Sequence, residues 1–249
     1  MVYSLVDVHA HLDDEEFERD RERVILEARE RGILVISSGC CKESNRKTLE
    51  ISQKHPNILP TFGFDPWSSA KLGMRAAMAE LDFIKSKAEE MVGIGEIGLD
   101  FKLGRKAIQR KAFELFLRLA EELGKPAIIH SRAAAGSVLE MLKKFAGTAV
   151  LHSFPGSIPQ IRKAIELGCY FSIAPNVVRS QQKQILAREV PIEEILLESD
   201  SPSLGPDPRQ RNEPVNIKIA LKEIARIKGL SIARAKRIIF NNSKQLFNL

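Results

Sequence analysis

The chain has 249 residues, 44% of them hydrophobic and 28% charged, which suits a globular fold with a sizeable core. No apolar run approaches the ~20 residues that a membrane-spanning helix needs, and Asp7 and His9 interrupt the only apolar stretch near the amino terminus, which argues against a secretory leader. The formal net charge of +6 fits a polyanionic partner such as nucleic acid, or a simple surplus of surface lysine and arginine.

The first strand-like run, 4–8, leads straight into His9-Ala10-His11. A helical pattern over Asp14–Arg31 follows and stops at Gly32, where a left-handed cap is wanted. Further strand-like runs lie at 33–38 and 58–64, the second leading to a loop with Asp65 and the single tryptophan, Trp67. The run 91–95 is closed by Glu96, and Lys102 sits in the loop beyond it. Over Arg105–Gly124, Ile108, Phe113, Phe116, Leu119 and Leu123 form an apolar stripe at helical spacing. The runs 126–130 and 148–152 end in His130 and His152, with glycine stops at Gly124, Gly147 and Gly168. The runs 169–173 and 194–199 complete the set, and Asp200 follows the last. A proline- and charge-rich loop, 201–214, carries Arg209 and Arg211. Two helices near 216–228 and 232–247 finish the chain, parted by Gly229, with Ser231 as the second helix's N-cap. Eight strand–helix units in this length predict an α/β fold: a (β/α)8 TIM barrel with additional C-terminal helices, spanning 1–249 as one domain.

Cys40, Cys41 and Cys169 are odd in number and form no C-x-x-C pair. They predict neither a disulfide framework nor a zinc knuckle; each reads as a small buried hydrophobe, and a reducing cytoplasm is the expected compartment. No segment points to a protein partner.

In such a barrel, residues at strand carboxyl ends carry the chemistry. A lone histidine there is ordinarily a rim residue, but four of the five histidines fall at these ends. The fifth, His55, precedes Pro56 and reads as solvated or capping. His9 and His11, two apart on a strand, face one side and can hold one ion. Glu96 can bridge two ions, His130 and His152 can hold the second, and both rings are expected to be partly exposed. Asp200 can bind the first ion and take a proton from the attacking water. Mixed nitrogen and oxygen ligation with room for solvent is the mark of a catalytic metal site. The donor types suit Mg, Mn or Zn. Arg132, two residues after His130, suits bidentate phosphate binding, and Asp100 can orient a ligand histidine. Lys102, Arg209 and Arg211 can extend an anionic path, or be solvated charges. Trp67 can stack on a base, or pack beneath its loop.

Asp-Val-His-Ala-His at 7–11, Gly-Glu-Ile-Gly-Leu-Asp at 95–100, Ile-His-Ser-Arg at 129–132, Leu-His-Ser-Phe-Pro-Gly-Ser at 151–157 and Glu-Ser-Asp-Ser-Pro at 198–202 resemble the TatD-like deoxyribonucleases of the metal-dependent amidohydrolase superfamily. The resemblance runs in order through Arg211-Asn212-Glu213-Pro214. It implies two divalent ions, DNA hydrolysis (commonly from the 3′ end), and ligand roles for His9, His11, Glu96, His130, His152 and Asp200. Three positions depart from the family pattern. Asp65 stands where a histidine that helps bind or protonate substrate is expected, Ala133 where an aspartate is usual, and Ser153 where a cysteine is usual. Asp65, beside two cations, is expected to stay ionised.

The predicted function is divalent-metal-dependent hydrolysis of DNA phosphodiesters, as a 3′–5′ exonuclease acting on single-stranded ends, with Asp200 and Glu96 as catalytic groups and Arg132, Asp65, Trp67, Lys102, Arg209 and Arg211 as substrate contacts. The alternatives are another superfamily hydrolase of ester or amide bonds, such as a D-aminoacyl-tRNA deacylase, and a non-catalytic nucleic-acid-binding barrel.

Overall fold

The computed structural model describes residues 3–249. Eight strands lie parallel in chain order: β1 (Leu5–Ala10), β2 (Ile33–Ser38), β3 (Ile58–Phe62), β4 (Gly93–Gly98), β5 (Ala127–His130), β6 (Ala149–His152), β7 (Tyr170–Ile173) and β8 (Ile195–Leu197). Between them run α1 (Arg21–Glu30), α2 (Lys42–Lys54), α3 (Pro66–Ser86), α4 (Lys106–Leu123), α5 (Ala135–Leu142), α6 (Ile158–Glu166) and α7 (Gln181–Glu189). The chain ends in α8 (Ile217–Lys228) and α9 (Ile232–Phe247), the additional helices expected from sequence.

The strands are nearly continuous apolar runs because both of their faces are covered. Val6, Val8, Ile36, Ile128, Val150 and Leu196 fill the barrel interior. At the strands' amino ends Leu34, Leu59 and Val92 join them, and the tail of α9 packs there through Phe240, Leu246 and Phe247. The opposite strand faces bury Ile33, Phe62, Ile94, Ile129, Leu151 and Phe171 against the helices. In α4 the predicted stripe is the buried one: Phe113, Phe116 and Leu119 are fully inside, with Ile108 and Leu123 flanking.

The ladder runs from β1 to β8, and the seam between those two is closed by other means. Asp200 N–H donates to His9 O (2.9 Å) and His11 N–H to Ser201 O (2.8 Å). The buried Asp7 carboxylate accepts from Ser199 N (2.7 Å) and His9 N (3.3 Å). Burial raises this carboxyl well above the usual range, partly offset by the Ser199 hydrogen bonds.

Several boundaries differ from the sequence-based expectation. The helical pattern over Asp14–Arg31 is broken: residues Glu15–Phe17 form a short 3-10 turn capped by Asp14, and α1 begins only after Asp20. The carboxylate of Asp20 is taken by Arg23 and Arg211. β4 runs on to Gly98, so Glu96 lies within the strand rather than closing it. β8 is shorter than expected, and Asp200 sits three residues past its end with φ 54°. Trp67 is in the first turn of α3, not in a loop. Gly32, Gly124 and Gly168 adopt the left-handed conformation; Gly147 does not, and a Cβ there would lie 2.5 Å from the Phe145 ring. Cys169 is buried as expected, whereas Cys40 and Cys41 are half-buried.

Ser231 caps α9 by accepting from Arg234 N at 3.3 Å. Ser231→Ala is expected to cost about 1 kcal/mol, read as a lower denaturation midpoint with an unchanged slope. An unchanged midpoint would show that packing alone sets where α9 starts.

Candidate metal centre

His130 and His152 are the last residues of β5 and β6, and Glu96 lies inside β4; His9 is near the end of β1 and His11 just beyond it. A register shift between Asp7 and Ala10 inserts one extra residue into β1 relative to β2. Beyond that bulge Ala10 packs in the outer core, and His9 and His11 both face the barrel mouth. Glycines let neighbouring backbone come close to Glu96 and His130. A Cβ on Gly63 would fall 2.3 Å from Glu96 O, and one on Gly98, at φ 140°, would fall 2.1 Å from His130 O.

The two oxygens of Glu96 face two different pairs of rings. Oε2 lies 3.4 Å from His11 Nε2 and 3.7 Å from His9 Nε2. Oε1 lies 2.7 Å from His130 Nδ1 and 4.0 Å from His152 Nε2. Asp200 Oδ1 is 3.4 Å from His9 Nε2, 3.6 Å from His11 Nε2 and 4.0 Å from His152 Nε2.

Each ring is oriented from behind. His11 Nδ1–H donates to Ser38 O at 3.1 Å. His9 Nδ1 pairs with Ser38 Oγ at 2.9 Å, and that hydroxyl also accepts from Thr61 Oγ1. His152 Nδ1–H donates to Glu198 at 2.9 Å; Glu198 is fully buried, and Ser172 Oγ–H donates to the same carboxylate. Three rings therefore turn Nε2 inward. His130 is reversed: Nδ1 faces Glu96, and Nε2 lies 3.3 Å from Asp100 Oδ2. Asp100 thus stands behind a candidate ligand histidine, as its spacing suggested. His130 is partly exposed, but His152 is buried, because Glu198 draws its ring into the barrel.

Burial works against ionising Glu96 and Asp200, but the histidines outweigh it. Glu96 is held low chiefly by His130, and Asp200 well below the usual range chiefly by His152, His11 and His9. His130 moves the other way: its burial is outweighed by Asp100 and Glu96, which raise it to about 10.

The donor set fits a divalent cation. His9, His11 and Glu96 form one triad, His9, His152 and Asp200 a second, and Glu96, His130 and His152 a third, with the donor atoms of each within 4.8 Å of one another. Among the described residues, His9 Nε2 is buried at the centre without a hydrogen-bond partner, the state expected of a lone pair meant for a metal.

Around the cluster, the predicted substrate residues are variously placed. Arg132 Nε donates to Asp100 Oδ2 (2.7 Å), which fixes the guanidinium at the rim while its side chain stays 56% exposed. Lys102 is exposed. Trp67 is 58% exposed, so it is not packed beneath neighbouring chain. Asp65 caps α3, accepting from Ser68 N at 2.7 Å, and burial with the Glu96 charge pushes its carboxyl up to about 6. Arg209 is paired with Asp207 on an exposed loop. Arg211 has its donors committed to Asp20, Glu213 and Glu16 O, with its guanidinium over the Phe17 ring. His55 ends α2, with Glu22 3.2 Å away.

Cys40 and Lys183 were missed by sequence reasoning. Cys40 Sγ lies 3.5 Å from His11 Nδ1 and 3.7 Å from Glu96 Oε2. Its position directly after the β2 apolar run was the available signal, since that is a catalytic-face position too. Lys183, on α7, is buried and donates to the carbonyls of Ser153 and Phe154; nothing in its helical context marks it. Burial lowers its ammonium to about 8.

A parallel eight-stranded barrel with imidazoles and carboxylates gathered at its carboxyl face defines a metal-dependent barrel hydrolase. Residues 6–248 match the family described as TatD related DNase. The chain is 31% identical to a metal-dependent hydrolase of Methanocaldococcus jannaschii, over 97% of this chain and 96% of that one. It is 29% identical to the 3′-5′ ssDNA/RNA exonuclease TatD of Erwinia tasmaniensis, over 98% and 100%. Its fold matches the crystal structure of a TatD homologue from Escherichia coli with a TM-score of 0.91, at 23% identity and full coverage of both chains. The chain belongs to the TatD-related DNase family and is an enzyme of that family of metal-dependent hydrolases.

Proposed function

We propose that the chain acts as one catalytic domain that hydrolyses phosphodiester bonds at single-stranded DNA ends, with two divalent ions, releasing nucleotides from the 3′ end. The observation that carries this reading is the division of Glu96: one oxygen serves His9 and His11, the other His130 and His152. One carboxylate between two imidazole pairs suits a pair of ions rather than one. His9, His11, Glu96 and Asp200 would hold the first, and Glu96, His130 and His152 the second. Bound there, the ions supply Lewis-acid activation of water and of a non-bridging phosphate oxygen.

The chain's own groups do the rest. Asp200, kept ionised by three histidines, takes the proton from the attacking water. Glu198 and Asp100 hold His152 and His130 in place. Asp100 occupies Nε of Arg132, and among the described residues the two Nη groups have no protein acceptor, which leaves a fork for a phosphate. Trp67, exposed beside Asp65, offers a stacking face to a base, and Lys102 adds positive charge on the same β3–β4 side. The 3′ polarity follows the named activity of the Erwinia relative.

The test is a substrate panel of single- and double-stranded DNA, RNA and aminoacyl-tRNA, each with Mg, Mn, Zn or chelator. Single-stranded DNA is expected to shorten from its 3′ end with release of mononucleotides, and chelation to abolish this. Hydrolysis of aminoacyl-tRNA with DNA left intact would replace this reading with that of a deacylase.

A further inference from the structure

A cavity of about 380 Å³ opens beside the cluster on the β5–β8 side of the barrel mouth. Its wall includes Arg132, His152, Ser153, Asn176, Lys183 and Asp200. The space suits one nucleotide unit and not a base pair, at the small end of ligand pockets. The open flank with Trp67 and Lys102 lies on the other side, at β3–β4.

Lys183 gives this cavity its character. It is 8% exposed, and its Nζ donates to Ser153 O (2.6 Å) and Phe154 O (3.0 Å). An ammonium has three donors, so among the described residues one remains without a protein acceptor. Among the described residues no carboxylate forms an ion pair with it; Glu198 and Asp200 act on it only at longer range. A buried cation without a counter-charge is costly, and a ligand anion removes that cost. A second polar group lines the cavity: Asn176 is 6% exposed and, among the described residues, its Oδ1 has no hydrogen-bond partner, an acceptor suited to a hydroxyl or N–H of a nucleotide rather than to its phosphate. Its two cationic side chains, Arg132 and Lys183, give the cavity two anion positions. One is the cluster with Arg132, where the scissile phosphate belongs, and the other is Lys183.

We propose that the cavity receives the 3′-terminal nucleotide of the strand and that Lys183 binds its 3′-phosphate, so that the enzyme favours a 3′-phosphorylated DNA end over a 3′-hydroxyl end. This rests on the phosphodiesterase reading above, and it adds a substrate preference that the metal cluster alone does not impose.

The test uses one single-stranded oligonucleotide prepared with a 3′-phosphate, a 5′-phosphate or hydroxyls at both ends. Wild-type kcat/KM for the first cut is expected to be higher by about tenfold or more for the 3′-phosphorylated substrate alone, the scale of a single hydrogen bond to a charged group. Lys183→Met is expected to erase that ratio, whereas a merely structural role for Lys183 would lower all three substrates together. Calorimetry adds a measurement that needs no variant: metal-loaded wild-type protein should bind a deoxynucleoside 3′,5′-bisphosphate about tenfold tighter than the monophosphates. Equal cleavage of phosphorylated and hydroxyl ends overturns the proposal and leaves the nuclease reading intact. So does a phosphate preference that survives in Lys183→Met. Should wild-type protein cut no DNA with any metal, the nuclease reading fails, and the bisphosphate titration alone then decides on the cavity.

Discussion

Asp200→Asn is expected to lower kcat on single-stranded DNA by about 10²- to 10⁴-fold, the range for loss of a positioned acid–base group. The amide keeps the size of the carboxylate but cannot accept a proton at neutral pH. It also withdraws a negative charge from three imidazoles, His9, His11 and His152, that lie within 4.0 Å of Oδ1. Both changes act on the reacting centre, so KM should move much less than kcat. The φ of 54° at this position is one that asparagine tolerates well, so the backbone should hold its course and the melting temperature should stay close to wild type. Steady-state kinetics with excess metal, beside a thermal melt, separate the two effects. Turnover within threefold of wild type would remove Asp200 from the proton transfer.

The next largest effect is expected at the pair His152–Glu198. His152→Ala deletes a candidate ligand and strands the fully buried Glu198, which then keeps, among the described residues, only Ser172 as a side-chain donor. Leaving a buried carboxylate short of a partner costs about 1–3 kcal/mol or more, so this variant should lose both metal and stability. Glu198→Gln separates the two losses. The amide oxygen can still accept from His152 Nδ1, so the fold should persist. The ring loses the charge that made it a stronger donor, and metal affinity should drop about 10- to 100-fold, as for other groups that stand behind a ligand. Titration of metal-free protein, followed by calorimetry, reads this directly. Wild-type affinity in Glu198→Gln would mean that His152 is held by packing rather than by charge.

What the sequence disclosed and what it hid divide along physical lines. The barrel was legible because parallel strands buried on both faces leave short apolar runs, and because Phe113, Phe116 and Leu119 keep helical spacing on α4. His9, His11, Glu96, His130, His152 and Asp200 were legible as candidates because the carboxyl ends of barrel strands point to one place. Their orientation was not. That His130 turns Nδ1 inward while the other three turn Nε2 is decided by Asp100, Ser38 and Glu198, partners distant in sequence except on the barrel. The break before α1 was hidden for the same reason: Asp20 is claimed by Arg211, nearly the whole chain away. Lys183 reads as an ordinary helix-surface lysine until the fold lays α7 over the loop after β6.

The seam between β8 and β1 also bears on how the enzyme comes into being. Asp200 N–H reaches back to His9 O, and Ser201 O receives His11 N–H, so the backbone at the first two histidines is held by residues just past the last strand. Partners about 190 residues apart must meet before His9, His11 and Asp200 share a neighbourhood, and such long closures are among the slow events of folding. During synthesis, a ribosome-bound chain that has not yet emitted residue 200 already carries His9, His11, Glu96, His130 and His152 on strands that pair in chain order, but not Asp200. It therefore lacks the proposed base and the backbone hydrogen bonds that close β1 on the far end of the sheet. On the proposed mechanism, an enzyme assembled this way gains its base only when its chain is nearly complete, and products of translation or proteolysis that end before β8 should be inactive as well as unstable.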